Sequence, residues 1–370
     1  MYIEHLNVLN FKNIGEATLD LCNGINCFVG DNGAGKTNLI DSVYYLSFCK
    51  SYFNPIDSQL IRHKNNFFVI QGKYKKGEYN EYIYAGIKRN QKKQFKRNKK
   101  EYSRLSDHIG LLPLVIISPG DERLINEGGE QRRKYIDSVI SQFDKDYLTH
   151  LIRYNKSIIQ RNALLKKSQG NLNVISGELE IWDNQLLKNG KIIYNKRREF
   201  VNSLLPVFKK YYSIISGNTE DVNILYHSHY DRDDFDKQLV NVQNKDAILG
   251  YTTKGVHRDD LELLLDDYPV KKTGSQGQKK SFFVALKLAQ FEFLMKHFGF
   301  SPMLLLDDLF DKLDNQRSAK LIELVSKDIF QQIFITDTQK HRLVDIVKKT
   351  GKKYFIFDVK NGVVKNEISR

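Results

Sequence analysis

The chain lacks most of what marks secreted or membrane-embedded proteins. Three cysteines in 370 residues, Cys22, Cys27 and Cys49, are too few for a disulfide framework and suit a reducing cytoplasm. Cys22 and Cys27 have no Cys or His neighbours at zinc-site spacing, which leaves them as small core residues. No apolar run reaches the roughly 18 residues that would indicate a transmembrane helix. The opening Met1-Tyr2-Ile3-Glu4-His5 carries no signal-peptide pattern, so a cytoplasmic location is expected. Acidic residues are also short: 44 Asp and Glu face 58 Lys and Arg, a formal charge of +14. That excess favours a polyanionic partner, nucleic acid before an anionic membrane. What remains is ample for two or three domains with sizeable cores, at 370 residues and 41% hydrophobic.

One stretch organises the rest. Gly30-Asp31-Asn32-Gly33-Ala34-Gly35-Lys36-Thr37 has the form G-x-x-x-x-G-K-[ST]. Ile25–Val29 before it reads as a buried strand, and Asn38–Leu46 after it as a helix with Leu39, Val43 and Leu46 on one face. Strand, loop and helix are the setting of a phosphate-binding loop. Its glycines let backbone N–H groups and the helix N-terminus face phosphates. Lys36 adds a point charge, and the Thr37 hydroxyl can ligate Mg²⁺. The pattern predicts nucleoside triphosphate binding.

Further along, Phe67–Tyr74 and Glu81–Lys88 alternate like strands of an antiparallel meander with one solvated face. The basic run from Lys88 to Lys100 follows. It reads either as a solvated hairpin or as a track for a DNA backbone. Leu111–Ile117 is a buried strand that ends at Ser118-Pro119-Gly120-Asp121. Two helical runs come next. One carries Leu148, Leu151, Ile152, Ile158, Ile159 and Leu165; the other carries Leu179, Trp182, Leu186, Ile193, Phe200, Leu204 and Phe208. With Ser168-Gln169-Gly170-Asn171 between them, they predict an antiparallel helical hairpin or short coiled coil whose stripes form a core. His227 and His229 fall at period two in a following strand, two imidazoles without the third ligand a metal site needs. Asp231 to Asp236 reads as a solvated acidic loop.

A second cluster opens at Ser275-Gln276-Gly277-Gln278, at the start of a strong helix, where hydroxyl, glycine and amides form an anion-binding cap. Met303–Leu306 is a wholly apolar strand ending in Asp307-Asp308. An acid there can hold Mg²⁺ through its water shell, and the second can orient an attacking water. Leu309 to Asp314 reads as a turn into the next helix. The strand Gln332–Thr336 leads to Asp337-Thr338, and Asn361-Gly362 marks a closing hairpin.

This order resembles the ATP-binding-cassette (ABC) ATPases of the SMC type. Gly30–Thr37 is similar to their Walker A, Ser275–Gln278 to their signature motif, Met303–Asp308 to their Walker B, and Asp314 to their D-loop aspartate. Within that superfamily the chain resembles the RecF family. The residues that carry this are Phe11-Lys12-Asn13, Asp31–Asn38, Ser118–Asp121, Arg132-Arg133, Arg153-Tyr154-Asn155, Gln160–Leu165, His257-Arg258-Asp259-Asp260, Ser275–Gln278 and Leu305–Asp308. The resemblance implies an α/β fold: an ABC-type ATPase head, with a mixed core sheet, a P-loop and an antiparallel β-meander, and an inserted α-helical hairpin. Residues 1–137 and 246–370 would form the ATPase lobe and 138–245 the helical lobe. It also implies ATP and Mg²⁺ as cofactors. Gly30, Asp31, Asn32, Gly33, Ala34, Gly35, Lys36, Thr37, Asn38, Lys12, Ser275, Gly277 and Gln278 would contact the nucleotide. Thr37, Asp307 and Asp121 would face the metal, and Lys36, Asp307 and Asp308 would act in hydrolysis. Either Lys12 or Asn13 would lie beside the base or phosphates, or their segment is simply a turn.

Three departures from the cassette pattern point to a slow ATPase used as a switch. The usual Mg²⁺-sensing glutamine is absent, with Ser118–Asp121 in its place and Asp121 as its substitute; Asp308 replaces the catalytic glutamate, and Thr336, Asp337 and Thr338 replace the switch histidine. The family's role would be an ATP-dependent homodimeric clamp on single- and double-stranded DNA at gaps or junctions, without nuclease or helicase chemistry. RecO, RecR and RecA would be its partners, in DNA replication, repair and the SOS response, with no membrane involved. A transporter ATPase subunit, an SMC structural ATPase, an overcoming-lysogenisation-type nuclease and a small-molecule kinase explain parts of this pattern. They leave the basic meander, the short helical insert, the short tail after Gly362 or Ser275–Gln278 unaccounted for.

Overall fold

The computed structural model describes residues 1–218, 220–232, 234–309 and 315–369, with backbone only at 315–318 and 368–369. In chain order the strands are β1 (Tyr2–Phe11), β2 (Ile14–Asp20), β3 (Ile25–Val29), β4 (Phe67–Lys76), β5 (Tyr79–Lys88), β6 (Gln94–Arg97), β7 (Lys100–Glu101), β8 (Leu114–Ile117), β9 (Val222–His227), β10 (Asp260–Leu265), β11 (Tyr268–Pro269), β12 (Met303–Leu306), β13 (Ile333–Asp337), β14 (Tyr354–Lys360) and β15 (Val363–Ser369). The helices are α1 (Lys36–Phe48), α2 (Arg123–Asn126), α3 (Gly129–Phe143), α4 (Lys145–Ser168), α5 (Ser176–Ser216), α6 (Phe235–Asn241), α7 (Gln243–Leu249), α8 (Val270–Thr273), α9 (Gln276–Phe298), α10 (Asn315–Ser326) and α11 (Lys340–Lys349). Among the described residues, no helix is long and apolar enough to cross a membrane.

Residue contacts form two compact units. The first, Met1–Asp121 with Ile214–Gly217 and Lys280–Arg370, contains two sheets. One is the expected antiparallel meander, in the order β2-β1-β4-β5-β6-β7. Its inward side chains alternate along each strand, as Phe68, Ile70 and Tyr74 do on β4 and Ile83, Ala85 and Ile87 on β5. The other is mixed, in the order β15-β14-β3-β13-β12-β8, with every pairing parallel except β14 with β15. Strands β3, β8, β12 and β13 are buried at every residue, as a parallel sheet covered on both faces requires. Phe11, Phe28, Leu39, Val43, Tyr45, Phe68, Phe334 and Phe357 belong to one continuous core. The buried Gln332 amide joins the two sheets. Its Nε2 donates to the Ile3 and Cys22 carbonyls, and its Oε1 accepts from the Ile3 N–H.

The second unit, Glu122–Ser213 with Asn218–Lys279, is built on α4 and α5. Their contacts Arg161–Asp183, His150–Asn189 and Tyr147–Arg197 run in opposite senses along the two helices, so the pair is antiparallel. The small sheet β11-β10-β9 completes this unit. The boundaries expected from sequence cut through α3 at residue 137 and leave β10 with the ATPase lobe; here α3 packs on both α4 and β10.

The stripe read on α4 requires correction. Its buried face carries Tyr147, His150, Tyr154, Ser157, Arg161 and Leu165, while Ile152 and Ile159 are exposed. An apolar count misses this because these polar side chains find partners inside. Arg161 pairs with Asp183 and Asp246, His150 meets Asn189, and the Tyr154 hydroxyl meets His257 Nδ1. On α5 the expected Leu179, Leu186, Ile193, Phe200, Leu204 and Phe208 are buried, and Trp182 is partly buried. The strand holding His227 ends there. Ser228 caps a short turn containing His229, so the two imidazoles do not share a strand face; His227 pairs with Glu262, and His229 Nδ1 accepts from the Gly255 N–H. After it, Asp231 completes that capping box, and Phe235 is buried at the start of α6.

Arg197 is the hub of this unit. Its guanidinium donates to Asp137 at 2.9 Å, to Asp259 at 2.8 Å and to the Val256 carbonyl at 2.7 Å, with only 2% of the side chain exposed. Burial pushes the Asp259 carboxyl up to about 6 even with this cation beside it. Replacing Arg197 by Met would leave two carboxylates without their partner. Urea unfolding of R197M should show a loss of about 3–5 kcal/mol, and a loss below about 1 kcal/mol would contradict the hub role.

Candidate nucleotide site

The loop after β3 adopts a backbone that only glycine tolerates at two of its corners. Gly30 has φ 154°, and a side chain there would collide with the Val359 carbonyl. Gly35 has φ 118° and precedes α1, where an added Cβ would meet Asn13 Oδ1 at 2.8 Å. Two turns brace the loop from outside. From the β1–β2 turn, Asn13 Nδ2 donates to the Gly33 carbonyl at 3.0 Å, and Asn38 Nδ2 donates back to Asn13 Oδ1 at 2.8 Å. From the β14–β15 turn, the Gly362 N–H donates to the Ala34 carbonyl at 2.8 Å. Asp31, Asn32 and Gly33 form the exposed tip. The Lys36 ammonium donates to the Gly30 and Asp31 carbonyls at 2.9 and 3.1 Å, within the loop's own curve.

Strand register explains what meets this loop. In the parallel sheet β13 lies between β3 and β12, with Thr336 opposite Phe28 and Ile335 opposite Leu306. The carboxyl ends of three neighbouring strands therefore deliver the loop, Thr336 and Asp307 to one place, where ligands of such sheets bind. Asp307 Oδ1 accepts from Thr37 Oγ1 at 2.9 Å and from Thr336 Oγ1 at 2.8 Å. Asp307 is 4% exposed, and burial raises its pKa against the pull of the two hydroxyls. Asp308 follows in the left-handed region, φ 42°, with its N–H donating to Thr336 Oγ1 at 2.9 Å. A hydroxyl and a carboxylate are hard oxygen donors suited to Mg²⁺, which usually takes one or two protein ligands and fills its shell with phosphate and water. Among the described residues, no cluster of three or more His, Cys, Asp or Glu side chains offers a complete protein-only metal site.

The remaining sequence candidates have other partners. Asp121 Oδ1 receives Lys287 Nζ at 2.9 Å and the Tyr52 hydroxyl, and its Oδ2 caps the Ser118 N–H at 2.8 Å. Its carboxylate is thus engaged away from the Thr37–Asp307 pair. Lys12 places its ammonium 2.7 Å from the fully buried Asp41, which also accepts from the Tyr52 N–H and Ser51 Oγ. Of Lys12 and Asn13, it is Asn13 that touches the loop. Ser275 and Gln278 close a capping box at the start of α9: the Ser275 N–H donates to Gln278 Oε1 at 2.6 Å and the Gln278 N–H to Ser275 Oγ at 3.2 Å. Gly277 lies in the same first turn. Asp314 lies outside the described residues. Tyr52, Asp41 and Lys287 have no signal in the sequence for these contacts, because single side chains far apart in the chain leave no local pattern, and Thr336 stands out there only in place of a switch histidine.

The basic run is partly structural. Lys93 pairs with Asp57 at 2.6 Å, Arg97 forks onto Glu81, and Phe95 is buried, while Lys88, Arg89, Lys92, Lys99 and Lys100 are exposed. A cleft of about 910 Å³ is lined by Lys12, Asn13, Arg62, His63, Lys64 and Arg89 among others.

The family model for the RecF/RecN/SMC N terminal domain matches residues 2–365. A protein of Phocaeicola vulgatus named DNA replication and repair protein RecF is 51% identical over 368 residues, 98% of each chain. The chain belongs to the RecF family. A solved structure described as the recombination mediator protein RecF-ATP in the RecFOR pathway matches with a TM-score of 0.87 at 31% identity, over 99% of each chain. A Pyrococcus furiosus Smc head domain shares the fold, with a TM-score of 0.59 at 16% identity over 100% of this chain and 96% of that one. The mixed α/β architecture with its helical region is that of RecF and of Smc heads.

The brace on the RecF-type loop is testable. Asn13→Ala removes the amide bonds to Gly33 and Asn38 and leaves the buried strands intact. Calorimetric titration should show nucleotide affinity falling about tenfold, or 1.4 kcal/mol, with the melting temperature nearly unchanged. An unchanged affinity would mean the loop holds its shape without Asn13.

Proposed function

We propose that this protein is an ATP-driven DNA clamp of recombinational repair. The observation that carries the reading is the convergence of the P-loop, Thr37 and Asp307 at the carboxyl ends of β3, β13 and β12. Lys36 and the loop N–H groups hold the β- and γ-phosphates, exchanging the Lys36 contacts to Gly30 and Asp31 for phosphate oxygens. Asp31, Asn32 and Asn38 border the phosphates, and the cleft beside Asn13 gives room for the nucleoside. Thr37 and Asp307 hold Mg²⁺, which supplies charge neutralisation on the phosphates. Asp308 orients water, one methylene further back than a glutamate would, which favours slow turnover. Asp121, locked onto Lys287 and Tyr52, serves the site through α9 instead of the metal.

Half of the site is supplied by a second copy. Ser275, Gly277 and Gln278 sit at the start of a 23-residue helix, and the N-terminal end of such a helix is suited to a γ-phosphate. Two subunits then sandwich two ATP molecules and close basic surface on DNA at a gap or single-strand/double-strand junction. Hydrolysis reopens them. RecO and RecR are the partners with which such a clamp would load RecA, in the cytoplasm, in support of replication and the SOS response.

Sedimentation with ATP should show wild-type association that Ser275→Arg abolishes; association that survives this change would end the composite-site reading. On gapped duplex DNA, Lys36→Ala should lose ATP-dependent retention, and equal retention with and without ATP would contradict the clamp. The logarithm of DNA affinity should fall steeply with the logarithm of salt concentration, as phosphate contacts by Lys and Arg demand.

A further inference from the structure

We infer that Glu220 is a positioning residue for the composite nucleotide site. It sets the orientation of the Gln278 side chain, and through it the backbone that presents Ser275 to a nucleotide on a second copy. The inference rests on the two-copy reading above. Gln278 Nε2 donates to Glu220 Oε1 at 2.8 Å, and Gln278 Oε1 accepts from the Ser275 N–H at 2.6 Å. An amide can be turned either way round, and its two ends have opposite hydrogen-bonding character. An ionised carboxylate only accepts. Glu220 therefore faces the NH₂ end of Gln278, which leaves the carbonyl end for the Ser275 N–H.

The anchor is itself fixed. The other Glu220 oxygen accepts from the hydroxyl of Tyr212, a residue of α5 that is 1% exposed. With the box closed, Ser275 Oγ accepts from the Gln278 N–H at 3.2 Å, so the hydroxyl hydrogen stays available for a phosphate oxygen. Without the carboxylate, Gln278 can turn over and oppose its NH₂ to the Ser275 N–H, opening the box and moving Ser275. Nothing in the local pattern Ser275–Gln278 points to Glu220, which lies 58 residues earlier in the chain.

The test compares Glu220→Ala and Glu220→Gln with the wild type. Gln keeps an acceptor oxygen for Gln278 and a polar atom for Tyr212; Ala keeps neither. With ATP, E220A should associate at least about tenfold more weakly than the wild type by sedimentation, and E220Q within about twofold of it. Nucleotide affinity of the unassociated copy and the melting temperature should be the same for all three. Mixing copies adds a readout that a general structural defect would not move. A K36A copy lacks a working P-loop but offers an intact Ser275 segment, and an E220A copy has the reverse. Together they form one intact site, so the mixture should associate with ATP more strongly than either copy does alone. E220A that associates like the wild type, E220Q that fails like E220A, or a mixture that fails to associate would each overturn the positioning role. Absence of association in the wild type would overturn the two-copy reading and this inference with it.

Discussion

The backbone of residues 30–35 is the constraint on which the site depends. A loop that turns its N–H groups inward must pass through left-handed conformations, which cost L-residues about 1–2 kcal/mol each. Glycine removes that cost and leaves the loop free to take other shapes. The structure supplies what glycine cannot. Asn13 holds one side, the Gly362 turn holds the other, and the Val359 carbonyl fills the space beside Gly30. The bracing groups come from the first and last hairpins of the chain. The loop's shape is therefore a property of the whole first unit.

The same unit gathers buried charges, each with a partner. Asp41 meets Lys12, Asp121 meets Lys287, and Asp307 sits between two hydroxyls. In the second unit Arg161 and Arg197 each bind two carboxylates with almost no exposure. Desolvation makes such pairs weak sources of net stability, yet breaking one is costly. Their consequence is specificity of arrangement: an ion left unpaired by a wrong register penalises that register. The pairs join elements far apart in sequence, which ties sheet to helix and the segment before β10 to α5.

Particular elements show where sequence reading succeeded and where it stopped. Ile25–Val29 and Met303–Leu306 were legible as strands to the residue, because a short run that is apolar throughout, or broken only by Asn26, belongs in a sheet covered on both faces. The helical hairpin was legible from its period. The buried face of α4 was not. Apolar period identifies a core only when the core is apolar, and here Arg161, His150 and Tyr154 are carried inside by partners on α5, α7 and the segment before β10. His229 failed for a related reason. Ser228 caps a turn and ends the strand, and a capping hydrogen bond outweighs the weak preference of a short edge segment.

By itself the sequence determined the loop motif, the helix start at Ser275–Gln278 and the strand that ends in Asp307. Each is written within a dozen residues, since backbone conformation and helix capping are local demands. Only the tertiary structure decided that Thr37 meets Asp307 across 270 residues, that Thr336 completes their contact and that Asp121 faces Lys287. It also chose Asn13 over Lys12 as the brace of the loop. Coulomb attraction and desolvation act through space, so the partner of a buried polar group is set by which strands end side by side.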